Sequence, residues 1–189
     1  MISKLTQLAI KAAIEASKDI LIIYQSDDFE IENKEDNSPL TKADKAAHKI
    51  ISSILQESKI PILSEEGKSI PYETRKYWNK LWIVDPIDGT KEFIKRNGEF
   101  TVNIALIENN KPVIGVVLAP ASGALYFSEK NIGAFKSIVN LDIINPENLL
   151  AEALPLPLNH KNQTFTVVAS RSHLSKETEA YVENLRTKH

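Results

Sequence analysis

The chain has 189 residues, of which 42% are hydrophobic, and it carries a formal net charge of −2 at pH 7 and no cysteine. These values exclude a strongly basic nucleic-acid-binding surface, disulfides, thiolate zinc sites and a cysteine nucleophile, and no apolar run approaches the ~20 residues of an integral membrane segment. We expect a cytoplasmic enzyme with oxygen ligands, built as one domain or slightly more.

Two amphipathic helices are predicted in the first third of the chain. Apolar residues recur at three- and four-residue spacing over residues 5–23, which indicates the first helix. A polar, acidic segment at 25–39 is interpreted as a solvated connection. Thr41 then opens a second predicted helix, whose apolar side extends to Leu55.

Short β-rich runs separated by turn residues dominate the rest of the chain. The predicted strands cover residues 60–63, 81–84, 101–108, 113–118, 124–127, 132–135 and 164–169. The third and fourth runs, joined by residues 109–112, predict a hairpin. The prolines and asparagines of 140–162 predict a linker. Ser175, followed by Glu177 and Glu179, predicts the N-cap of a last helix.

Helices first, then antiparallel strands, then a strand–helix unit predict an α/β fold of the α+β layered-sandwich kind and exclude a Rossmann domain. We predict an N-terminal α+β domain at 1–140 that carries a metal site. Residues 141–189 are predicted to form a linker and the beginning of a C-terminal α/β domain. No glycine-rich phosphate loop occurs in the sequence, which excludes kinase and dinucleotide-binding interpretations.

Acidic residues stand at the ends of predicted elements in three separate segments. Asp85 and Asp88 lie in the run KLWIVDPIDGT at 80–90, where we expect Pro86 and Gly89 to end the strand sharply. Asp44 lies near the start of the second helix, and Glu65 follows a strand. Carboxylates that converge from separate segments repel one another unless cations neutralise them. Because Mg²⁺ prefers oxygen ligands, the pattern predicts a divalent metal site.

Each of these residues also has a structural interpretation. Asp-Pro and Asp-Gly pairs are ordinary turn sequences, and the spacing from Thr41 to Asp44 is that of a capping box. Glu65 and Glu66 could belong to an exposed loop. Thr90 could cap the short helical turn that follows it, an alternative compatible with function because a capped turn presents N–H groups to a phosphate.

Together these segments resemble the inositol monophosphatase superfamily, whose members are lithium-sensitive, magnesium-dependent phosphatases. The matching segments are SPLTKAD at 38–44, LSEE at 63–66 and WIVDPIDGT at 82–90. Residues 91–104 and the segment ASRSH at 169–173 resemble the 3'(2'),5'-bisphosphate nucleotidase branch (CysQ-type) more than the inositol branch. The resemblance implies the αβαβα architecture shared with fructose-1,6-bisphosphatase.

The resemblance also implies a role for each matching residue. The implied Mg²⁺ ligands are oxygen atoms of Glu65, Asp85, Ile87 (backbone carbonyl) and Asp88. Asp44 and the hydroxyl of Thr90 would activate the attacking water. The implied substrate-binding residues are Glu65, Ile87, Asp88, Gly89, Thr90, Ser170 and His173.

The activity implied by the resemblance is removal of the 3'-phosphate of adenosine 3',5'-bisphosphate, a by-product of sulfate assimilation, to leave AMP. An inositol or sugar monophosphatase with the same metal site remains an alternative, as does a non-catalytic metal- or nucleotide-binding fragment. The expected partner is the small-molecule nucleotide bisphosphate, with no nucleic acid, and both a monomer and a homodimer are open.

The sequence departs from the family pattern in one respect. Family members carry a further aspartate in a Trp-Asp-x-Ala-Ala-Gly element, and no such element occurs in residues 1–189. That aspartate would complete the second metal position. We therefore expect this chain to lack the C-terminal part of the family fold and to be impaired in activity.

Overall fold

The computed structural model describes residues 1–26, 29–33, 39–141, 149–158, 166–170 and 174–186. It divides into two compact units, Met1–Pro157 and Leu158–His189, and each is treated by itself. The predicted domains at 1–140 and 141–189 remain a prediction, since compactness alone does not define them.

The first unit contains five helices and nine strands within the described residues. The helices are α1 (Lys4–Gln25), α2 (Lys42–Leu55), α3 (Tyr72–Arg75), α4 (Thr90–Ile94) and α5 (Leu149–Glu152). The strands are β1 (Glu32–Asn33), β2 (Pro39–Leu40), β3 (Ile62–Ser64), β4 (Lys80–Asp88), β5 (Thr101–Glu108), β6 (Lys111–Ala119), β7 (Ala124–Glu129), β8 (Gly133–Ile138) and β9 (Leu154–Pro155).

Strands β3 to β9 form a seven-stranded sheet in sequence order. The β3–β4 pair is parallel, and each later pair of neighbours is antiparallel. β1 and β2 form a separate antiparallel pair. A mixed sheet flanked by helices confirms the predicted α+β layering.

The predicted hairpin is confirmed between β5 and β6. Its turn consists of Asn109 and Asn110, which adopt φ values of 51° and 60°. Positive φ at both central residues is the geometry that matches the twist of paired strands, and asparagine tolerates it better than most residues. This turn fixes the register of β5, the strand that faces the candidate site.

One face of the sheet packs against α1 and α2 to form the core. On α1, alanines at three- and four-residue spacing allow close approach to α2, and isoleucines fill the space toward β5 and β6. Each fully buried Ile or Leu side chain stabilises the fold by roughly 1.5–3 kcal/mol. The largest fully buried side chains are Trp82, Phe93, Phe100, Ile10, Ile14, Ile20, Ile51, Leu55, Ile104, Leu106, Leu118 and Leu125.

The predicted strand break is confirmed at Gly89 and was wrong at Pro86, because β4 continues to Asp88. Asp85 pairs with Asn103 and Asp88 pairs with Thr101, so three steps along β4 lie opposite two steps along β5. The extra residue marks a β-bulge. A bulge leaves a residue unpaired, and this accommodates a proline that has no N–H to donate.

Four short elements also differ from the predictions. β1 lies inside the polar connection predicted at 25–39 and β2 begins at its last residue, and α5 and β9 lie inside the linker predicted at 140–162. Elements of two to four residues are too short to produce a periodic signal. Of the strand predicted at 164–169, the described residues 166–169 are not in a strand.

The second unit contains the predicted last helix, α6 (Lys176–Arg186). The hydroxyl of Ser175 accepts a hydrogen bond from the N–H of Thr178 at 3.2 Å, which confirms the predicted N-cap. The pKa of Glu177 is lowered by its own backbone N–H and by the Ser175 side chain. Within the described residues of both units, every helix is too short or too polar to cross a membrane.

Candidate active site

The bulge in β4 brings Asp85 and Asp88 to the same face of the sheet. In a regular strand, residues three positions apart point to opposite faces. The extra residue in the bulge returns Asp88 to the face that Asp85 occupies. Pro86 and Ile87 are both buried, whereas Asp85 is half-buried and Asp88 exposed. The backbone alone therefore places two carboxylates side by side.

Glu65 joins this pair from the end of β3. The parallel pairing with β4 extends one residue beyond the strand, because the N–H of Glu65 donates to the carbonyl of Val84 at 3.0 Å. The N–H of Gly67 then bonds the carbonyl of Ser64 at 3.0 Å and turns the chain away. The side chain of Glu65 lies close enough to Asp85 for its charge to raise the pKa of that carboxyl.

Asp85 has a raised pKa. Partial burial, then the charge of Glu65, then the charge of Asp88 raise the pKa of Asp85 from 3.8 to about 7, and a backbone hydrogen bond at Ile87 partly opposes this rise. The Oδ1 atom of Asp85 is buried and has no hydrogen-bond partner among the described residues. An ionised carboxylate in this position needs a cation or a proton.

This donor set fits a hard divalent cation. Three carboxylates and the Ile87 carbonyl supply only oxygen atoms, which are the ligands of magnesium and calcium, and a buried carboxylate oxygen is free to bind. The charges of Glu65 and Asp88 raise the pKa of Asp85. Within the described residues, however, no three His, Cys, Asp or Glu side chains are close enough together to hold a metal ion.

Asp44 and Thr90 form the second part of the site. The Thr90 hydroxyl donates to Asp44 Oδ1, with 3.3 Å between the oxygens, and it also lies 3.3 Å from the carbonyl of Ile87. The other oxygen of Asp44 accepts from the N–H of Thr41 at 2.8 Å and from its hydroxyl at 2.6 Å. The predicted capping box is therefore present, and it holds the same carboxylate that faces Thr90.

The start of α4 differs from the prediction that Thr90 caps it. Gly89 is the N-cap, and Thr90 is the first helical residue, so its hydroxyl is available to Asp44. Gly89 has a φ of 98°, and a Cβ added there would lie 2.9 Å from the carbonyl oxygen of Glu99. Phe93 anchors the helix on the core side, with ring centroids 5.2 Å from Tyr24 and 5.1 Å from Phe100.

The sequence analysis missed two residues that support the acids, Asn103 and His48. Asn103 Nδ2 donates to Asp88 Oδ2 at 3.0 Å. His48 Nδ1 lies 2.8 Å from the Ser64 hydroxyl, immediately before Glu65. In a sequence, a polar residue that supports a site from an alternating strand or an amphipathic helix cannot be distinguished from one that simply faces solvent. Proximity to the acids is the signal, and it exists only in the fold.

The structure thus brings together Asp44, Glu65, Asp85, Ile87, Asp88, Gly89 and Thr90 within the first unit. Ser170 is exposed and lies in the second unit. His173 lies outside the described residues. Their predicted contacts with a nucleotide remain predictions.

Comparison with known protein families agrees along the whole chain. The model of the inositol monophosphatase family matches residues 1–189. The 3'(2'),5'-bisphosphate nucleotidase CysQ of Salmonella typhimurium is 45% identical over 159 residues, covering 83% of this chain and 59% of the relative. The CysQ protein of Buchnera aphidicola subsp. Acyrthosiphon pisum is 38% identical over 196 residues, covering 98% of this chain and 65% of the relative. The chain therefore spans less than two thirds of these curated relatives' length.

Two solved structures share the fold. The crystal structure of CysQ from Bacteroides thetaiotaomicron, a bacterial member of the inositol monophosphatase family, superposes with a TM-score of 0.86 at 47% identity, over 97% of this chain and 69% of that one. The extragenic suppressor protein suhB from Bartonella henselae gives a TM-score of 0.64 at 31% identity, over 71% of this chain and 52% of that one. The layered α+β architecture is common to all three.

Proposed function

The chain belongs to the inositol monophosphatase family, and on this premise we propose that it is part of a magnesium-dependent phosphomonoesterase that hydrolyses the 3'-phosphate of adenosine 3',5'-bisphosphate. The products are AMP and inorganic phosphate. The family is metal-dependent. The choice of substrate is supported by relatives named 3'(2'),5'-bisphosphate nucleotidase at 38–45% identity.

One observation carries the proposal: the pKa of Asp85 is raised to about 7, mainly by burial and by Glu65 and Asp88. Repulsion of this kind between carboxylates does not stabilise a fold, whereas a cation site needs closely spaced anionic side chains. Perturbed acids of this type cluster at functional sites. The proposed magnesium ligands are Glu65, Asp85, Asp88 and the Ile87 carbonyl. When bound, magnesium would neutralise phosphate charge and lower the pKa of a water molecule.

The Asp44–Thr90 pair supplies the means to accept a proton. Because the Thr90 hydroxyl donates to Asp44 Oδ1, its oxygen lone pairs are free to accept a hydrogen bond from water. As the water oxygen bonds to phosphorus, its proton would pass to Thr90 while the Thr90 proton passes to Asp44. Thr41 holds the other Asp44 oxygen, which keeps the carboxylate oriented throughout.

Bond cleavage completes the proposed reaction. The bond between phosphorus and the 3' oxygen breaks as the new P–O bond forms, and the departing oxygen takes a proton from solvent. The N–H groups of Gly89 and Thr90 are proposed to orient the phosphoryl oxygens, because the sharp turn at Gly89 exposes backbone donors. Ser170 and His173 are proposed to contact the nucleotide. We also propose a cytoplasmic location and a monomer or homodimer.

Phosphate release tests the proposal directly. The chain is assayed with adenosine 3',5'-bisphosphate and with inositol 1-phosphate, each with and without Mg²⁺, and D85N serves as the control. Because the chain spans only part of its relatives, we expect impaired phosphate release that still depends on Mg²⁺. This release should be at least tenfold faster from the nucleotide than from inositol 1-phosphate, and it should be lost in D85N. A preference for inositol 1-phosphate would instead favour the inositol phosphatase alternative, and equal release by D85N would refute the site.

A further inference from the structure

A chain of two hydrogen bonds links β5 to the carboxylate of Asp88. The Thr101 hydroxyl lies 3.0 Å from Asn103 Oδ1, and Asn103 Nδ2 lies 3.0 Å from Asp88 Oδ2. Because an ionised carboxylate only accepts hydrogen bonds, the Asn103 nitrogen must face Asp88. The amide oxygen then faces Thr101, whose hydroxyl donates. The chain therefore has a single direction, from Thr101 to Asp88.

The backbone pairing makes this arrangement local and rigid. Asn103 is the cross-strand partner of Asp85, and Thr101 is the cross-strand partner of Asp88. Each acid thus faces one polar residue of β5. Without the extra residue in β4, Asp88 would point to the opposite face, out of reach of Asn103. The same bulge that pairs the two acids also brings Asp88 to its amide donor.

Within the described part of the chain, the bond from Asn103 is the hydrogen bond that the Asp88 side chain accepts. Asp88 is exposed at the end of β4, and its charge is close enough to Asp85 to raise the pKa of that group. Repulsion from Asp85 favours rotation of Asp88 away from the site. The bond from Asn103 to Oδ2 opposes this rotation, and it leaves lone pairs on both carboxylate oxygens for a cation.

We propose that Asn103 is a positioning residue that holds the Asp88 carboxylate toward the metal centre, with Thr101 fixing the orientation of the Asn103 amide. The proposal rests on the function proposed above. Partners that orient a ligand in this way are worth 10–100-fold in metal affinity, because the free ligand then loses less freedom on binding.

Magnesium affinity, measured by calorimetry at pH 8 without substrate, tests the role of Asn103. N103L preserves side-chain volume on a strand but removes the amide, and we expect its affinity for Mg²⁺ to fall by roughly 10–100-fold. T101V keeps the shape of threonine but removes the donor, so we expect a smaller loss in the same direction. S128A, which removes a hydroxyl from the same sheet face on β7, should bind as the unsubstituted chain does.

A second measurement separates positioning from general damage. The side-chain amide resonances of Asn103, identified by their loss in N103L, should shift in T101V and in D88A while the melting temperature of the metal-free T101V protein stays unchanged. Unchanged affinity in both N103L and T101V would overturn this inference alone. If the unsubstituted chain bound no Mg²⁺, the proposed function would fail and this inference with it. T101V carries the test if N103L folds poorly.

Discussion

The hydroxyl of Thr90 donates a hydrogen bond to the carboxylate of Asp44 across 3.3 Å, although the two residues are 46 positions apart in the sequence. The contact joins the first turn of α2 to the first turn of α4. Because Thr41 engages the other Asp44 oxygen, the carboxylate is held on both sides. It is 1% exposed, so it meets Thr90 with little competition from water.

Substitution of Thr90 tests whether this contact serves catalysis. T90V removes the hydroxyl without changing the shape, and we expect kcat for phosphate release to fall by roughly 10²–10⁴-fold, the range for loss of a proton-transfer group. Magnesium affinity should change little, since only the hydroxyl is lost. T90S retains the donor and should keep most of the activity. A T90V protein with normal kcat would limit the contact to a structural role.

The raised pKa of Asp85 predicts how stability depends on pH without metal. Its pKa rises from 3.8 to about 7 on folding, so between these values the folded chain retains a proton that the unfolded chain has released. The free energy of unfolding therefore decreases as the pH rises through this window. D85N removes the effect. We expect its melting temperature, relative to the unsubstituted protein, to increase from pH 4 to pH 7 and then level off.

Thermal melts of both proteins in the same metal-free buffers isolate the carboxylate cluster around Asp85, because the acids outside this cluster contribute equally to each protein. Chelator is present throughout, so that no cation compensates the charge. A difference in melting temperature that is independent of pH would show that Asp85 does not carry the retained proton.

The same proton should leave when magnesium binds. At pH 6, below the pKa of about 7, most metal-free molecules hold a proton at Asp85, whereas a cation requires the ionised form. Calorimetric titrations in two buffers of different ionisation enthalpy should therefore report release of about one proton at pH 6 and almost none at pH 8.5. Equal proton release at the two pH values would contradict this linkage.

Much of this fold was predictable because its signals are local. The spacing of apolar residues in α1 and α2, the Asn109–Asn110 turn and the Ser175 cap are each encoded within one short segment. The acids of the site could be named because they lie in long motifs that resemble a known family. Neither kind of signal needs knowledge of distant contacts.

What could not be predicted depends on contacts between segments. The bulge in β4 exists because β5 pairs with it out of step, and Pro86 taken alone indicated a strand end. Asn103 and His48 became recognisable only when the sheet placed them beside Asp88 and Ser64. A sequence pattern can identify the acids of such a site, but their supports belong to the tertiary structure.

Gly89 is predicted to be irreplaceable for two physical reasons. Its φ of 98° is unfavourable for other residues, and an added Cβ would lie 2.9 Å from the backbone oxygen of Glu99. Strain of this kind costs roughly 1–3 kcal/mol, and a clash with backbone is not relieved by side-chain movement. We expect G89A to lower the free energy of unfolding by that amount. It should also reduce the rate of phosphate release relative to the unsubstituted chain.

A matched substitution in the same sheet controls for the loss of glycine itself. An added Cβ at Gly115 would lie 3.1 Å from the side-chain oxygen of Ser128, which can rotate away, and Gly115 does not have a positive φ. In urea denaturation, G115A should therefore cost less than G89A. Equal losses would show that the turn at Gly89 has no special requirement.

The last prediction concerns the bond between His48 and Ser64, which ties the helix that carries Asp44 to the strand that ends at Glu65. The Nδ1 atom of His48 lies 2.8 Å from the hydroxyl of Ser64, a buried residue. H48L and S64A should each reduce the free energy of unfolding by roughly 0.5–1.5 kcal/mol, the usual net value of such a bond. H48N, whose amide nitrogen lies near the position of Nδ1, should lose less stability than H48L.

A double variant shows whether the two side chains act through this bond. Because H48L and S64A remove the same bond, the variant that carries both should lose less stability in urea denaturation than the sum of the two single losses. Additivity within about 0.3–0.5 kcal/mol would show that the two side chains act independently.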